Sequence, residues 1–140
     1  MKKIILCLFL LSSHSSFAES LNATEQKEIQ DIINLFKKND QNAITNSIRY
    51  PLMREEPIPS IDNKMQMQQR YNQVFDPKLV KNIANSKLSQ WQSVGWRGIM
   101  LDSGTVWVSD KQITAVNYSS DAEQRYKNQN IAKQKNNLHE

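Results

Sequence analysis

Apolar residues Ile29, Ile32, Ile33 and Phe36 recur at i, i+3, i+4 and i+7, the spacing of one helix face. Asn22 stands before this run with Glu25 three residues on, a capping-box pattern, so a helix is predicted from about residue 23 to Lys38. Asp40 can cap a shorter second helix carrying Ala43, Ile44 and Ile48, and the pair reads as a helical hairpin with one apolar stripe. The pattern then changes. Tyr50-Pro51-Leu52-Met53 reads as extended, and Pro51 confines it to a sheet edge or a bulge. Glu55 to Ser60, with Pro57 and Pro59, reads as a loop, after which Asp62 or Asn63 caps a helix through Met65, Gln69 and Tyr71. Asp76-Pro77 places an acidic cap before a proline at the first helical position, opening a short helix with Leu79, Val80 and Ile83 on its apolar side.

Alternation replaces helical spacing in the last third. All three tryptophans (Trp91, Trp96, Trp107) and all three glycines (Gly95, Gly98, Gly104) fall between positions 91 and 107. Trp96 to Leu101 and Thr105 to Ser109 read as strands joined by Asp102-Ser103-Gly104, a three-residue loop suited to a type I turn closed by a glycine bulge. Ile113 to Tyr118 supplies a third strand after a turn near Asp110-Lys111, giving a meander of at least three antiparallel strands. With Leu101 opposite Thr105, Ile99/Trp107 and Arg97/Ser109 share one face, and Met100/Val106, Gly98/Val108 and Trp96/Asp110 share the other. In that register both faces carry large apolar groups, whereas a sheet wet on one side alternates with polar ones. One face packs on the helices; the other is left to the chain's own strands, to a second copy or to a partner. From Ser119 onward only Tyr126, Ile131 and Leu138 are sizeable apolar groups, a composition that predicts a polar, flexible tail over residues 119–140, with transient helix as the alternative.

The N-terminus changes the setting. Met1-Lys2-Lys3, the apolar run Ile4 to Leu11 and the small-polar stretch Ser12 to Ala18 read as a signal peptide, with Ser16-Phe17-Ala18 as the cleavage pattern. The apolar run is far shorter than the ~20 residues that span a bilayer, so no stable membrane anchor is expected. Cleavage near Ala18 predicts a periplasmic or secreted chain beginning at Glu19, organised as one domain over residues 19–118. It also removes Cys7, and with it disulfides, zinc–thiolate sites and cysteine nucleophiles. His14 leaves with the signal and His139 is penultimate, so the body has no histidine for a catalytic triad or a metal site. Without Lys2 and Lys3, the 18 basic groups fall to 16 against 14 acidic ones, and they form no stripe. Nucleic acid is not an expected partner. No catalytic residue, metal or cofactor is assigned.

What chemistry remains is thin. Asp102 is the most tempting general base, but aspartate in a hairpin turn bonds local N–H groups. Asp76 is explained by capping. Tyr50, Tyr71 and Tyr118 carry hydroxyls able to donate to a ligand or to sit wet at the core margin. Arg97, beside Trp96 in an apolar segment, can pair an anion or a partner's carboxylate. Trp96, Arg97, Trp107, Tyr50 and Tyr118 are therefore the candidate partner or ligand contacts, since interfaces favour Trp, Tyr, Met and Arg anchors.

Helices, a proline-bearing edge, short helices and an antiparallel meander make an α+β arrangement, with N-terminal helices packed on a curved antiparallel sheet. Tyr50-Pro51-Leu52, Ile61 to Lys64 leading to Tyr71 and Phe75-Asp76, Trp96 to Val108, and Ile113 to Asn117 resemble small exported members of the nuclear-transport-factor-2-like superfamily. The resemblance implies a cone-like fold around a pocket. It also implies a choice among isomerases, dehydratases, small-ligand binders, dimeric interaction modules and immunity proteins against secreted toxins. The expectation is a non-catalytic envelope protein that occludes a protein partner, an immunity protein neutralising a toxin being its sharpest form. A homodimer is compatible with it. The alternatives are a small-ligand carrier using the cone pocket, and a carboxylate-dependent isomerase or hydrolase.

Overall fold

The computed structural model describes residues 19–137; the stretch read as a signal peptide, and His139, lie outside them. Helix α1 spans Ala23–Lys38 and closes its capping box as expected, with Asn22 accepting from the Glu25 N–H at 3.0 Å and Glu25 accepting from the Asn22 N–H at 2.9 Å. Asn39, at φ 51°, ends it in the left-handed region. Helix α2 (Gln41–Asn46) is capped by Asp40, α3 (Lys64–Val74) by Asn63, and α4 (Pro77–Ala84) by Asp76 with Pro77 at its start. Asp62, the other possible cap for α3, instead accepts from Ser60 Oγ. Leu52 pairs with Ile61 in a short antiparallel bridge, so the proline-bearing segment is extended but isolated, as Pro51 requires.

The sheet is an antiparallel meander in the order β1 (Trp91–Ser93), β2 (Ile99–Leu101), β3 (Val106–Ser109) and β4 (Gln112–Val116). Its register differs from the expected one by a residue: Leu101 stands opposite Val106, Met100 opposite Trp107 and Ile99 opposite Val108. The turn is the reason. Asp102 and Gly104 both adopt positive φ, 51° and 100°, and the Gly104 and Thr105 N–H groups both bond Leu101 O at 3.0 Å, so four residues rather than three separate the strands. A one-residue slip exchanges the faces. Trp91, Ile99, Leu101, Val106 and Val108 now all point inward and are buried. A bulge at Thr114 lets Ile113 and Val116 both join them, although three positions separate the two. Trp96 and Arg97, expected in a strand, lie in a 3-10 turn (Gly95–Arg97) between β1 and β2.

Both sheet edges are short and covered. Glu19 bonds Ser93 in both directions at 2.9 Å on the outer edge of β1, and Ile48 bridges Ile113 in parallel on the outer edge of β4. The inner sheet face and the apolar sides of α1 to α4 form one core, with Phe36 and Phe75 at its centre 5.5 Å apart.

Residues read as part of a polar tail form a further helix, α5 (Asp121–Asn137), whose buried residues are Glu123 and Lys127. Composition argued against this helix because it has almost no apolar face. What docks it is charge, supplied by residues about seventy positions earlier: Glu123 pairs with Arg54 and Lys127 with Glu55. Ser120 prepares its start, donating to Gln73 O while its Oγ accepts from the Glu123 N–H.

Gly98 tests the register. At φ 97° its Cα passes so close to β3 that an added Cβ would sit 2.4 Å from Val108 O. Gly98→Ala is expected to destabilise by about 3 kcal/mol or more, read as a lower urea midpoint, because neither strain nor backbone clash can relax without breaking the β2–β3 pairing.

Candidate functional site

Inward facing of the large aliphatic groups leaves a defined outer face. Gln92, Met100, Trp107 and Ala115 are direct cross-strand partners in sequence across β1 to β4, forming one uncharged row. Met100, Trp107 and Ala115 are partly buried. The Trp107 indole lies against Gly104, where a Cβ would come 3.1 Å from Nε1, so the glycine serves both the positive φ of the turn and the close approach of the ring.

At the end of the β1–β2 hairpin Trp96 is 90% exposed, far more than any other large apolar residue described. The Arg97 guanidinium stands 5.5 Å from its ring centroid, a cation–π pair that presents a flat aromatic and a charged fork together. Gly95 and Gly98, both at positive φ, make the tight excursion that lifts these side chains out of the sheet. Trp96, Arg97 and Trp107 are thus surface groups on adjoining parts of one hairpin system.

The two tyrosine candidates lie elsewhere and are internally bonded. Tyr50 donates to Thr45 O at 2.9 Å, and burial raises its pKa. Tyr118 donates to Asp76 Oδ2 at 2.8 Å; burial, and then this bond, push its pKa up to about 12. Asp76 meanwhile caps α4 through the Leu79 N–H, so it is committed twice. Asp102 is exposed at its turn, where it accepts from Gln90 Nε2. Tyr71 is buried with its hydroxyl unpartnered among the described residues, and burial, with Asp40 adding to it, raises its pKa to about 12.

A second constellation escaped the sequence reading. Arg54 and Glu123 are each 3% exposed at the side chain and pair through both carboxylate oxygens. Arg54 also donates to Val116 O and Tyr118 O, so one guanidinium ties the segment after α2 to the end of β4 and to α5. No local pattern announces this pair; its signal is a charged tripeptide, Arg54-Glu55-Glu56, and the i, i+4 spacing of Glu123 and Lys127. Among the described residues no group of three or more His, Cys, Asp or Glu is placed to hold a metal ion, and no helix is long and apolar enough to cross a membrane.

Comparison of the chain with protein-family models, curated proteins and solved structures gave no match.

Arg54→Met is expected to lower stability by about 3–5 kcal/mol, because it strands a buried carboxylate. Adding Glu123→Leu should recover part of that loss and not all of it, since Val116 O and Tyr118 O stay unpaired; urea denaturation of the three variants measures both steps. Alkaline unfolding gives a second check. Tyr71 and Tyr118 hold their protons to about 12 when folded against ~10 when unfolded, so stability is full below pH ~10 and falls as pH rises toward the folded value. Tyr118→Phe should flatten that fall, seen as a smaller drop of melting temperature across the same window.

Proposed function

We propose that this chain is an exported, non-catalytic binding protein that occludes a protein partner in the cell envelope. The reading combines the N-terminal export pattern with the element order that resembles the nuclear-transport-factor-2-like superfamily. Within that superfamily it fits the immunity-protein role best, the partner being a toxin that acts in the same compartment.

The observation that carries it is the outer face of the sheet. Charge depletion at the centre with aromatic, Met and Arg anchors is the composition that separates interface cores from ordinary surface. The row Gln92, Met100, Trp107 and Ala115 has it, and Trp96 with Arg97 is carried by the turn that joins β1 to β2. A tryptophan exposed to 90% contributes little to the fold, whereas burying such a side chain against a partner contributes several kcal/mol. The stacked guanidinium adds a directed contact for a carboxylate on the partner. The carboxylates support the same reading by their occupations: Glu123 neutralises Arg54, Asp76 caps a helix and Asp102 shapes a turn.

The test is capture of partners by the mature chain, Glu19 to Glu140, from envelope extract of its own host, followed by affinity measurement on the captured protein. Trp96→Ala should weaken binding by about 2 kcal/mol or more, roughly thirtyfold, while leaving the urea midpoint unchanged. Arg97→Ala should weaken it less and reduce its salt dependence. A partner bound equally well by the wild-type and Trp96→Ala chains would overturn the assignment of this face.

A further inference from the structure

Arg70 on α3 is held by the protein in a way that leaves its binding edge open. Its Nη1 donates to Pro59 O at 2.9 Å and to Ser60 O at 3.1 Å, which fixes the guanidinium against the 55–60 loop. Among the described residues, Nε and Nη2 have no hydrogen-bond partner, and the ion pairs formed involve Lys27, Arg49, Arg54 and Lys127 rather than Arg70. The Nε/Nη2 edge is one that takes a carboxylate side-on through two parallel N–H···O bonds. A guanidinium already immobilised loses little further freedom on binding, which favours a ligand there over one met by a mobile surface arginine.

Arg70 lines a cleft of about 270 Å³ between the loop, α3 and α5. Ile58, Pro59, Ala122 and Tyr126 give it a largely apolar lining, and Gln73 adds an uncharged amide. Glu123 also borders it, but its carboxylate is bound through both oxygens to Arg54, so its charge is neutralised in place. The cleft therefore offers one unpaired cation over an apolar hollow slightly smaller than the ~300 Å³ at which pockets for drug-sized ligands begin.

We propose that this cleft binds a carboxylate carried on a short apolar body, Arg70 taking the carboxylate and Ile58, Pro59 and Tyr126 covering the body. The site shares no residue with the outer sheet face and goes beyond the partner-binding role assigned to that face. Because Ala122 and Tyr126 belong to α5 while Arg70 belongs to α3, an occupant bridges the two helices and reinforces a docking otherwise made by ion pairs. The same chemistry is offered by a free organic acid and by the C-terminal residue of an apolar polypeptide.

The experiment is a chemical-shift titration of isotopically labelled mature chain with two probes, hexanoate and acetyl-Ala-Leu, each alongside its primary amide. Saturable shifts at the Arg70 guanidinium and at the Ala122 and Tyr126 amides are expected, with the amides at least tenfold weaker than the acids. Tighter binding of hexanoate identifies a free acid as the ligand type, and tighter binding of the dipeptide identifies a polypeptide terminus. Arg70→Gln should weaken the preferred acid at least tenfold; Ala122→Trp, which fills the cleft without touching the bonds to Pro59 and Ser60, should do the same in a chain whose spectrum stays folded. Failure of both acids to give saturable shifts at these positions, equal affinity for acid and amide, or full affinity in Ala122→Trp would overturn the proposal.

Discussion

The register between β2 and β3 is the constraint on which core and surface both depend. Side chains alternate with a period of two along a strand, so a single residue added to the connecting turn moves each side chain to the opposite face. Here the four residues from Asp102 to Thr105 set Leu101 against Val106, and the left-handed conformations of Asp102 and Gly104 make that turn close. The aliphatic groups of the two strands thereby meet the helices, while Met100 and Trp107 are left outside together. Neither the compact core nor the uncharged outer row would exist one register away. The bulge at Thr114 extends the same logic into β4, where it reconciles a three-residue spacing with burial of both Ile113 and Val116.

On another side of the molecule, order is imposed by charge. A guanidinium buried as deeply as that of Arg54 is tolerated because its donors reach a carboxylate and two carbonyl oxygens. These acceptors come from β4, the segment after it and α5, so satisfying one side chain fixes three pieces of chain that share little apolar contact. The Coulomb gain of such a pair is largely offset by desolvation of both groups, so its removal from one side costs far more than the pair contributes net. The helix it holds is mostly exposed beyond Lys127, in keeping with a segment docked by a few polar contacts near its start.

These two regions suggest a division of labour. The sheet face offers an uncharged row, and the Trp96–Arg97 tip adds an exposed aromatic with a cation stacked on it. The cleft beside Arg70 is small, with a single unpaired cation, and suits a small anionic group. Both depend on residues that serve the fold nearby: Gly98 and Gly104 shape the hairpins that present the tryptophans, and the loop carbonyls of Pro59 and Ser60 orient Arg70.

The helices were legible from the chain itself because their causes are local. Asn22 with Glu25, Asp40, and Asp76 with Pro77 are caps that act within one turn, and the Ile29 to Phe36 spacing declares a buried face with no knowledge of what buries it. The sheet was legible in kind: glycines, tryptophans and alternation predicted a meander, yet could not distinguish a three-residue from a four-residue turn, which depends on the φ angles of Asp102 and Gly104. Of the candidate contacts, Trp96, Arg97 and Trp107 stood out by residue type, but their exposure follows from the register and from the excursion at Gly95–Arg97. The pairing of Arg54 with Glu123, the stable docking of α5 and the open edge of Arg70 were not read from the chain, since a charged tripeptide and an i, i+4 spacing do not say which groups meet. The sequence by itself determined the elements whose signals lie within a few residues of one another; the tertiary structure decided the register, because burial of one strand face against the helices selects between two turns that are both possible locally, and the charge pairs, because they join groups about seventy positions apart that only the folded chain brings within bonding distance.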